Sequence, residues 1–389
     1  MSIVTDNPFL RLSGAVQAEG IDLGVAAHYG NPMIEQRHLL AGTAIVDLSH
    51  RGVLSVSGPD RLIWLNSVAT QRLDRLEPGE SAETLLLDGT GRIEHDIRVL
   101  DDGTTTWLLV EAGELPGLHA WLDSMRFMLR VEVADRTAEF ATIGSMAADP
   151  AAESASVRLA AAAPNGLPLV WHDPWAVVTR GGWQYAAPEG HPAADWRWSE
   201  VLVPREELVV LVARVESADS GVAGVLALEA LRIAAWRPRR ATEVDQKTIP
   251  HELDWLRSAV HLDKGCYRGQ ETVAKVHNLG HPPRRLVMLH LDGSDTVLPL
   301  HGDEVFAEKT RPEAEAGWRV VGAVTSAALH HELGPIALAV IKRAVPVSVP
   351  LEVHSHGEVV AASQVVVVPP GAGAAADVPR LPRLGVRGL

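Results

Sequence analysis

The sequence has a single cysteine, Cys266, among its 389 residues. One thiol cannot form an intramolecular disulfide, and alone it cannot supply a cysteine-rich zinc or iron–sulfur site. Free thiols are typical of the cytoplasm, where glutathione and thioredoxin keep them reduced. We therefore expect a cytoplasmic protein without a disulfide framework.

The sequence also lacks long apolar runs and an excess of positive charge. No apolar segment approaches the ~20 residues of a membrane-spanning helix, and residues 1–12 contain no cationic segment leading into an apolar run. The net charge is −14 at pH 7, whereas a nucleic-acid or anionic-membrane surface needs a cationic field. We predict a soluble, unexported protein that binds neither nucleic acid nor membranes.

Several catalytic and metal motifs are missing as well. There is no G-x-x-x-x-G-K-[ST] loop for nucleotide phosphates and no Gly-x-Ser-x-Gly turn for a serine nucleophile. His277 and His281 have helical spacing, but Gly280 and Pro282 disfavour the helix that would align them as metal ligands. We predict no metal site, although a mononuclear site that includes Cys266 stays open as an alternative.

The residues around Cys266 are unusual for a lone cysteine. Cys266 lies in the octapeptide Lys264-Gly-Cys-Tyr-Arg-Gly-Gln-Glu271. There Lys264 and Arg268 favour a reactive thiolate if their side chains point towards the sulfur. The alternative is that Cys266 is a small buried apolar residue, as lone cysteines often are.

Residues 56–140 have the pattern of an α+β sandwich. A helix starts after Gly58-Pro59-Asp60, a hairpin turns at residues 89–91, and a strand, an amphipathic helix and another strand follow. This order of elements is ferredoxin-like. In the second hairpin strand, strict alternation predicts two faces, one with Ile93, Ile97 and Val99 and the other with Arg92, Glu94, Asp96 and Arg98.

The later part of the chain is predicted to be mostly β. Apolar runs separated by Gly, Pro and polar turns in residues 283–368 favour a small barrel. Residues 369–389 are rich in Pro, Gly, Ala and Arg, so we predict a disordered tail. Before the octapeptide, residues 222–236 favour a helix. We interpret the tryptophans that precede this helix as core residues. They are Trp171, Trp175, Trp183, Trp196 and Trp198.

The octapeptide, with Glu243, Pro250 and Glu252 upstream, closely resembles the Lys-Gly-Cys-Tyr-x-Gly-Gln-Glu signature of the YgfZ-type folate-binding proteins. Those proteins are relatives of the glycine-cleavage T-protein, an aminomethyltransferase. Further segments resemble the T-protein pattern, namely Gly58-Pro59-Asp60, Leu65-Asn66, Pro78-Gly79, Asp88 to Gly91, Gly322 to Ser326 and Leu333 to Ala339.

This resemblance implies an α+β fold with three modules around a central channel. Residues 1–55 and 141–282 would form a discontinuous folate-binding domain, residues 56–140 a ferredoxin-like α+β insert, and residues 283–368 a C-terminal β-barrel. Tetrahydrofolate or a one-carbon derivative would occupy the channel as the cofactor.

The resemblance also implies which residues form the site. Cys266, Lys264 and Asp96 would be catalytic. The folate would be bound by the octapeptide and by arginines near its anionic tail, namely Tyr267, Arg268, Gln270, Glu271, Arg232, Arg237 and Arg239. Two alternatives stay open: residues 237–240 as a solvated loop, and Asp96 paired with Arg92 or Arg98 on the same strand.

By the family's role, the protein would support assembly or repair of iron–sulfur clusters, with client proteins or assembly factors as partners. One alternative is a folate-dependent aminomethyltransferase of the glycine-cleavage type, and another is an inert folate-binding module. Two departures from the T-protein pattern disfavour the aminomethyltransferase alternative. Ala234 stands where T-proteins carry a folate-contacting glutamate, and His95 replaces the first residue of an Asp-Asp pair that ends at Asp96.

Overall fold

The computed structural model describes residues 7–148, 161–293, 297–308 and 317–376. Within these ranges the chain forms two five-stranded sheets, a closed six-stranded barrel and a small two-stranded hairpin. The predicted α+β architecture with an insert and a C-terminal barrel is confirmed. Among the residues described, no helix combines the length and the apolar character that crossing a bilayer requires.

The first module begins with a short stretch of chain before the insert. Its helix starts after Asn31, whose side chain accepts hydrogen bonds from the backbone N–H groups of Met33 and Ile34. The elements of this stretch are β1 (Val16–Gln17), β2 (Ala26–His28), α1 (Pro32–Leu40) and β3 (Ala44–Asp47).

The insert follows β3 and begins slightly earlier than predicted. Its elements are β4 (Gly52–Ser57), α2 (Arg61–Val68), β5 (Ser81–Leu87), β6 (Ile93–Asp101), β7 (Thr105–Val110), α3 (Leu115–Ser124) and β8 (Glu132–Asp135). The strand order is β5-β6-β7-β4-β8. Because β4 already pairs with β7, the insert starts at residue 52 rather than 56. Helices α2 and α3 cover one face of the sheet through an apolar core that includes Trp64 and Leu118.

A β-bulge changes which residues of β6 face the first module. Leu85 lies opposite Asp96, but the register then shifts, so that Leu87 opposes Ile93. As a result Ile93 packs into the core of the first module, whereas Ile97 packs into the core of the insert. The predicted grouping of Ile93 with Ile97 is therefore wrong, because an extra residue in one strand reverses the alternation.

After the insert the chain returns to the first module. The elements are β9 (Phe140–Met146), β10 (Val170–His172), β11 (Trp198–Pro204), α4 (Leu208–Glu216), β12 (Gly221–Ala223), α5 (Val225–Ala234), α6 (Arg240–Glu243) and α7 (Gln270–Asn278). The sheet has the order β10-β11-β9-β3-β12. Helix α5 starts after Gly224, where a Cβ atom would lie 2.1 Å from the carbonyl oxygen of Ala27. The backbones therefore approach more closely there than any side chain would permit.

The C-terminal module is a closed barrel with the strand order β13-β16-β15-β14-β17-β18. Its strands are β13 (Arg284–Leu291), β14 (Glu304–Glu308), β15 (Trp318–His330), β16 (Gly334–Lys342), β17 (Leu351–Ser355) and β18 (Glu358–Val366).

The start of the predicted disordered tail is packed against α7. The N–H of Ala375 donates to the carbonyl of His277 (2.8 Å), and Ala372 is buried. The prediction is therefore wrong for residues 369–376, because this segment supplies donors to the carbonyls at the helix end. The rest of the predicted tail, residues 377–389, lies outside the described residues.

Candidate functional site

Charged side chains are concentrated where the first module meets the insert. They surround a cavity of about 30 Å³, which we call the central cavity. A space of this size holds about one water molecule. Its walls are formed by Arg51, Arg98, Asp173, Trp196, Trp198, Glu200, Leu228, Glu229, Arg232, Arg237, Pro238 and Arg239.

Arg237 is held in the wall of the central cavity by two carboxylates. Its Nη2 lies 2.6 Å from Glu83 Oε1, and its Nε lies 3.0 Å from Asp173 Oδ2. The guanidinium also lies 5.2 Å from the centre of the Trp175 ring. Burial disfavours the charged form, but the charges of Asp173 and Glu83 outweigh it and raise the pKa of Arg237 above its usual value.

Arg239 and Arg232 are equally buried and paired. Arg232 lies 2.6 Å from Glu229 and 3.0 Å from Glu243. Arg239 forms ion pairs with three carboxylates, those of Asp22 (2.7 Å), Glu111 (2.7 Å) and Glu229 (3.1 Å). The resemblance implies that these two arginines bind the anionic tail of folate. Carboxylates of the protein already neutralise both guanidinium groups instead.

The segment after α5 turns inwards rather than into solvent. Trp236 adopts a left-handed conformation with φ of 56°, which reverses the chain at the end of the helix. Arg237 and Arg239 are each only 4% exposed. The alternative of a solvated loop is therefore wrong for these two residues, because the turn at Trp236 returns their side chains to the interior.

Asp96 is buried on β6 near Arg98 and Arg237 of the cavity wall, although it is not one of the residues that line the central cavity. Among the described residues, no hydrogen bond reaches its Oδ1 and no ion pair joins it to Arg92 or Arg98. The alternative that Asp96 pairs with one of these arginines is therefore wrong. Burial raises the pKa of Asp96 well above its usual range, and the charge of Glu83 adds to the shift. The neutral acid is favoured.

The side chain of His95 pairs with Glu114 rather than with the carboxyl group of Asp96. Its Nδ1 lies 3.1 Å from Oε1 of Glu114, which also pairs with Arg240 at 3.0 Å. Consecutive residues of a strand point to opposite faces of the sheet. The sequence neighbours His95 and Asp96 therefore do not form an acid–base pair directed at one cavity.

The octapeptide forms an exposed loop and the first turn of α7. Cys266 is exposed, so the alternative of a buried apolar cysteine is wrong. Lys264 is buried, and its Nζ donates to the carbonyl oxygens of Asn66 (2.6 Å), Ala69 (2.5 Å) and Gln71 (3.0 Å). Burial lowers the pKa of Lys264 to about 8. The three hydrogen bonds from Lys264 hold the octapeptide loop against the insert.

The other octapeptide residues also have local roles. Arg268 lies 2.8 Å from Glu94 on the protein surface. Tyr267 is buried, with its ring 5.2 Å from the Lys264 ammonium. Gln270 Nε2 donates to the carbonyl of Lys264 at 3.3 Å, and Glu271 is exposed. These contacts hold the loop against the insert.

The predicted site residues thus fall into two groups. Arg232, Arg237 and Arg239 line the central cavity, and Asp96 is close enough to Arg237 for that charge to act on its carboxyl group. Of the described residues that line this cavity, none belongs to the octapeptide. The structure therefore does not place Cys266 and Asp96 in one cavity.

Two family models match the chain. The GCVT N-terminal domain matches residues 13–155, and the glycine cleavage T-protein C-terminal barrel domain matches residues 284–370. The chain belongs to the glycine cleavage T-protein superfamily. The aminomethyltransferases of this superfamily bind tetrahydrofolate and use its one-carbon derivatives.

Individual members of the T-protein superfamily align over most of the chain. An aminomethyltransferase of Rippkaea orientalis is 29% identical over 83% of this chain and 85% of its own length. One from a Nostoc species is 29% identical over 80% of both chains. The crystal structure of aminomethyltransferase T from Bartonella henselae superposes with a TM-score of 0.70 at 18% identity, covering 93% of this chain and 95% of that one. The structural likeness shows the shared fold.

The resemblance implies that Ala234 stands where T-proteins carry a carboxylate. Ala234 packs against the main apolar core. The carboxylates around the central cavity instead come from strands and loops that the sequence reasoning did not assign to the site. Glu200 on β11 lines the cavity, and Glu83 on β5 and Glu111 after β7 pair with the lining residues Arg237 and Arg239. A single carboxylate inside an otherwise apolar strand, as at Glu83 and Glu200, was the signal that could have identified them.

The described residues contain no group of three or more His, Cys, Asp or Glu side chains arranged to hold a metal ion. His277 instead contacts the hydroxyl of Tyr185, 3.0 Å from its Nδ1. His281 contacts the carbonyl of Ala372 at 2.7 Å. The two histidines thus have separate partners.

Proposed function

We propose that this protein binds a tetrahydrofolate derivative in the central cavity. The observation that carries the proposal is a set of buried polar atoms without hydrogen-bond partners. In the cavity wall these are the acceptor Glu200 Oε2 and the donors Arg51 Nε, Arg98 Nη1 and Arg237 Nη1; Oδ1 of the neutral Asp96 carboxyl, close to Arg237, also has no partner. Because buried polar atoms without partners are costly, a ligand that offers both donors and acceptors would be stabilised there. A reduced pterin ring offers both.

The size of the central cavity sets a condition on this binding. A pterin ring is several times larger than the single water molecule that about 30 Å³ can hold. Binding therefore requires that the side chains lining the cavity move apart. Trp196 and Trp198, whose rings lie 5.9 Å apart, supply flat apolar surfaces in the same wall.

Each residue would have a specific task with folate bound. Tetrahydrofolate supplies the nitrogen atoms that carry a one-carbon unit. Asp96, as a buried neutral acid, would donate a hydrogen bond to a ring acceptor. Glu200 would accept from a ring N–H group, and Arg98 and Arg237 would donate to ring oxygen or nitrogen.

Calorimetric titration with tetrahydrofolate under anaerobic conditions tests the binding. We expect saturable binding by the wild type and about tenfold weaker binding by Asp96→Ala, because the variant loses one hydrogen bond in a buried site. Glu271→Gln, a change on the exposed octapeptide, should leave the affinity unchanged. Absence of binding by the wild type would reject the proposal.

The first candidate for the chemical role is aminomethyl transfer of the glycine-cleavage type. Its support is that the aligned relatives are named aminomethyltransferases. It predicts formation of methylene-tetrahydrofolate in a purified glycine-cleavage assay with a lipoyl-bearing partner. The activity should fall with Asp96→Ala, which removes the hydrogen-bond donor, and be insensitive to Cys266→Ser, because Cys266 lies outside the central cavity.

The second candidate is support of iron–sulfur cluster assembly or repair through Cys266, in the manner of the YgfZ-type branch. Its support is the octapeptide resemblance together with the exposure of Cys266, which makes the thiol accessible to client proteins or assembly factors. Cys266→Ser should lower iron–sulfur enzyme activities in the host without unfolding the protein. Unchanged activities alongside normal folate affinity would favour an inert folate-binding module instead. Both roles fit the reducing cytoplasm.

A further inference from the structure

A second cavity, of about 180 Å³, lies between the insert and the first module. We call it the arginine cavity, after Arg72, Arg75 and Arg180 in its walls; His261 and Ser258 also line it. It is distinct from the central cavity. Glu83, which pairs with Arg237 of the central cavity, accepts a hydrogen bond of 2.5 Å from Ser258 Oγ. A layer of buried side chains thus connects the two walls.

The cations of the arginine cavity are largely uncompensated. Arg75 and Arg180 are exposed, and no ion pair with a described residue reaches either guanidinium. Arg72 has only a distant carboxylate partner, Asp74, at 3.8 Å. One carboxylate, that of Glu80, also lines the cavity, and it accepts a hydrogen bond of 3.0 Å from the N–H of Glu77. Positive charge therefore exceeds negative charge at the cavity wall.

His261 adds a buried donor to this wall. It is 4% exposed, and its Nδ1 accepts a hydrogen bond of 3.2 Å from the N–H of Asp263. That bond places the ring proton of the neutral imidazole on Nε2. Burial and the charge of Arg72 lower the pKa of His261, which favours this neutral form. Among the described residues, Nε2 has no hydrogen-bond partner.

The imidazole ring of His261 is fixed in place. A Cβ atom at Gly181 would lie 2.4 Å from the His261 ring, so the glycine backbone packs directly against it. The ring therefore cannot turn easily to find another acceptor for its Nε2–H group. A buried donor without an acceptor is costly, and an acceptor brought within reach of Nε2 would remove that cost.

We propose that the arginine cavity is a binding site for the phosphate group of a small anion, in which His261 Nε2 and the guanidinium groups of Arg72, Arg75 and Arg180 donate to the phosphate oxygens. Guanidinium groups match phosphate geometry through paired, charge-assisted hydrogen bonds. The cavity volume of about 180 Å³ admits a phosphate group with a few water molecules.

The location of the site links it to the octapeptide. His261 is three residues from Lys264, and Lys264 donates to the carbonyl of Gln71, which itself lines the arginine cavity. A phosphate group held by Arg72, Arg180 and His261 would therefore join the insert to the segment that continues into Cys266. This inference is independent of folate binding, because it concerns a different cavity.

Titration with inorganic phosphate, in a buffer free of other oxyanions and at low ionic strength, tests the proposal. We expect saturable binding by the full chain. Affinity should fall about tenfold in Arg75→Gln and Arg180→Gln, because each variant loses a charge-assisted hydrogen bond. It should fall similarly in His261→Asn, which retains an acceptor for the N–H of Asp263 but removes the Nε2 donor.

The control is Arg319→Gln, which removes the same charge from the exposed surface of the barrel. It should bind phosphate as the wild type does. No saturable binding by the wild type, or an equal loss of affinity in the control, would overturn the proposal. If His261→Asn does not fold, the two exposed arginine variants decide the result. A parallel titration with glycerol phosphate distinguishes the sources: equal affinity indicates free phosphate, and tighter binding indicates a phosphorylated metabolite.

Discussion

Arg237 Nη2 lies 2.6 Å from Glu83 Oε1, and both side chains are buried. Glu83 belongs to β5 of the insert, and Arg237 follows α5 of the first module. Glu83 also accepts hydrogen bonds from Trp255 (2.9 Å) and Ser258 (2.5 Å). One buried carboxylate thus connects the two modules beside the central cavity.

We predict that Arg237→Met is strongly destabilising. It leaves Glu83 and Asp173 as buried carboxylates without their cation, so the free energy of unfolding in urea should fall by about 3–5 kcal/mol. Arg268→Gln is the matched control. It breaks the exposed pair with Glu94, which should cost less than about 1 kcal/mol. If the free energy of unfolding fell by a similarly small amount in both variants, the buried ion pair of Arg237 would not have the predicted stabilising role.

We predict that Lys264 acts on stability rather than on the thiol. Lys264→Met removes the donor to three carbonyl oxygens, so the free energy of unfolding should fall by about 2–3 kcal/mol. The alkylation rate of Cys266 in the folded protein should change little. A large decrease in that rate with unchanged stability would instead show that Lys264 activates the thiol.

We predict that Cys266 is freely reactive in the folded protein. Because the side chain is exposed, Ellman's reagent should modify one thiol per chain at a rate within about an order of magnitude of that in denaturant. A matched reaction in urea supplies the reference rate. Protection that disappears only on global unfolding would show that the thiol is inaccessible.

Asp254 should make stability fall as the pH rises towards neutrality. Its Oδ1 accepts from the N–H of Tyr185 at 2.6 Å, and burial raises its pKa from 3.8 to about 7. Between these values the folded chain retains a proton that the unfolded chain releases. The contribution of Asp254 to the free energy of unfolding is therefore fully present below its unfolded-state pKa of 3.8. It is lost as the pH rises to its folded-state pKa of about 7.

Asp254→Asn tests this dependence. Asn keeps the shape of the side chain and tolerates the left-handed conformation of this position (φ 57°). Between pH 5 and pH 7, the wild type should lose about 2 kcal/mol more than the variant in urea unfolding. Parallel pH profiles for the two proteins would contradict the raised pKa of Asp254.

The order of elements could be predicted well from local patterns. The turn at residues 89–91, the amphipathic α3 and the regular punctuation of residues 283–368 each reflect chemistry contained in a short segment. The β-bulge between β5 and β6 could not be predicted in this way. Its position depends on the pairing of two strands, and it decides that Ile93 joins the core of the first module.

The partners of charged residues were the least predictable feature. The Arg239 guanidinium pairs with Asp22 and Glu111, which are far from it in the sequence. The sequence showed only that several arginines lie close together near residue 237. Whether such a cluster is solvated, binds an anion or pairs internally depends on which carboxylates the fold brings within reach.

The amino-acid sequence by itself determined the α+β fold class with a C-terminal barrel, because periodicity and turn residues are local properties. It also carried the continuous octapeptide around Cys266 but left the exposure of that thiol open. Only the tertiary structure decided that Arg237 and Arg239 are buried ion-pair partners and that Arg75 and Arg180 line a cavity without a carboxylate partner among the residues that the structure describes. The physical reason is that the charge state and the availability of a side chain depend on neighbours that are distant in sequence and become adjacent only after folding.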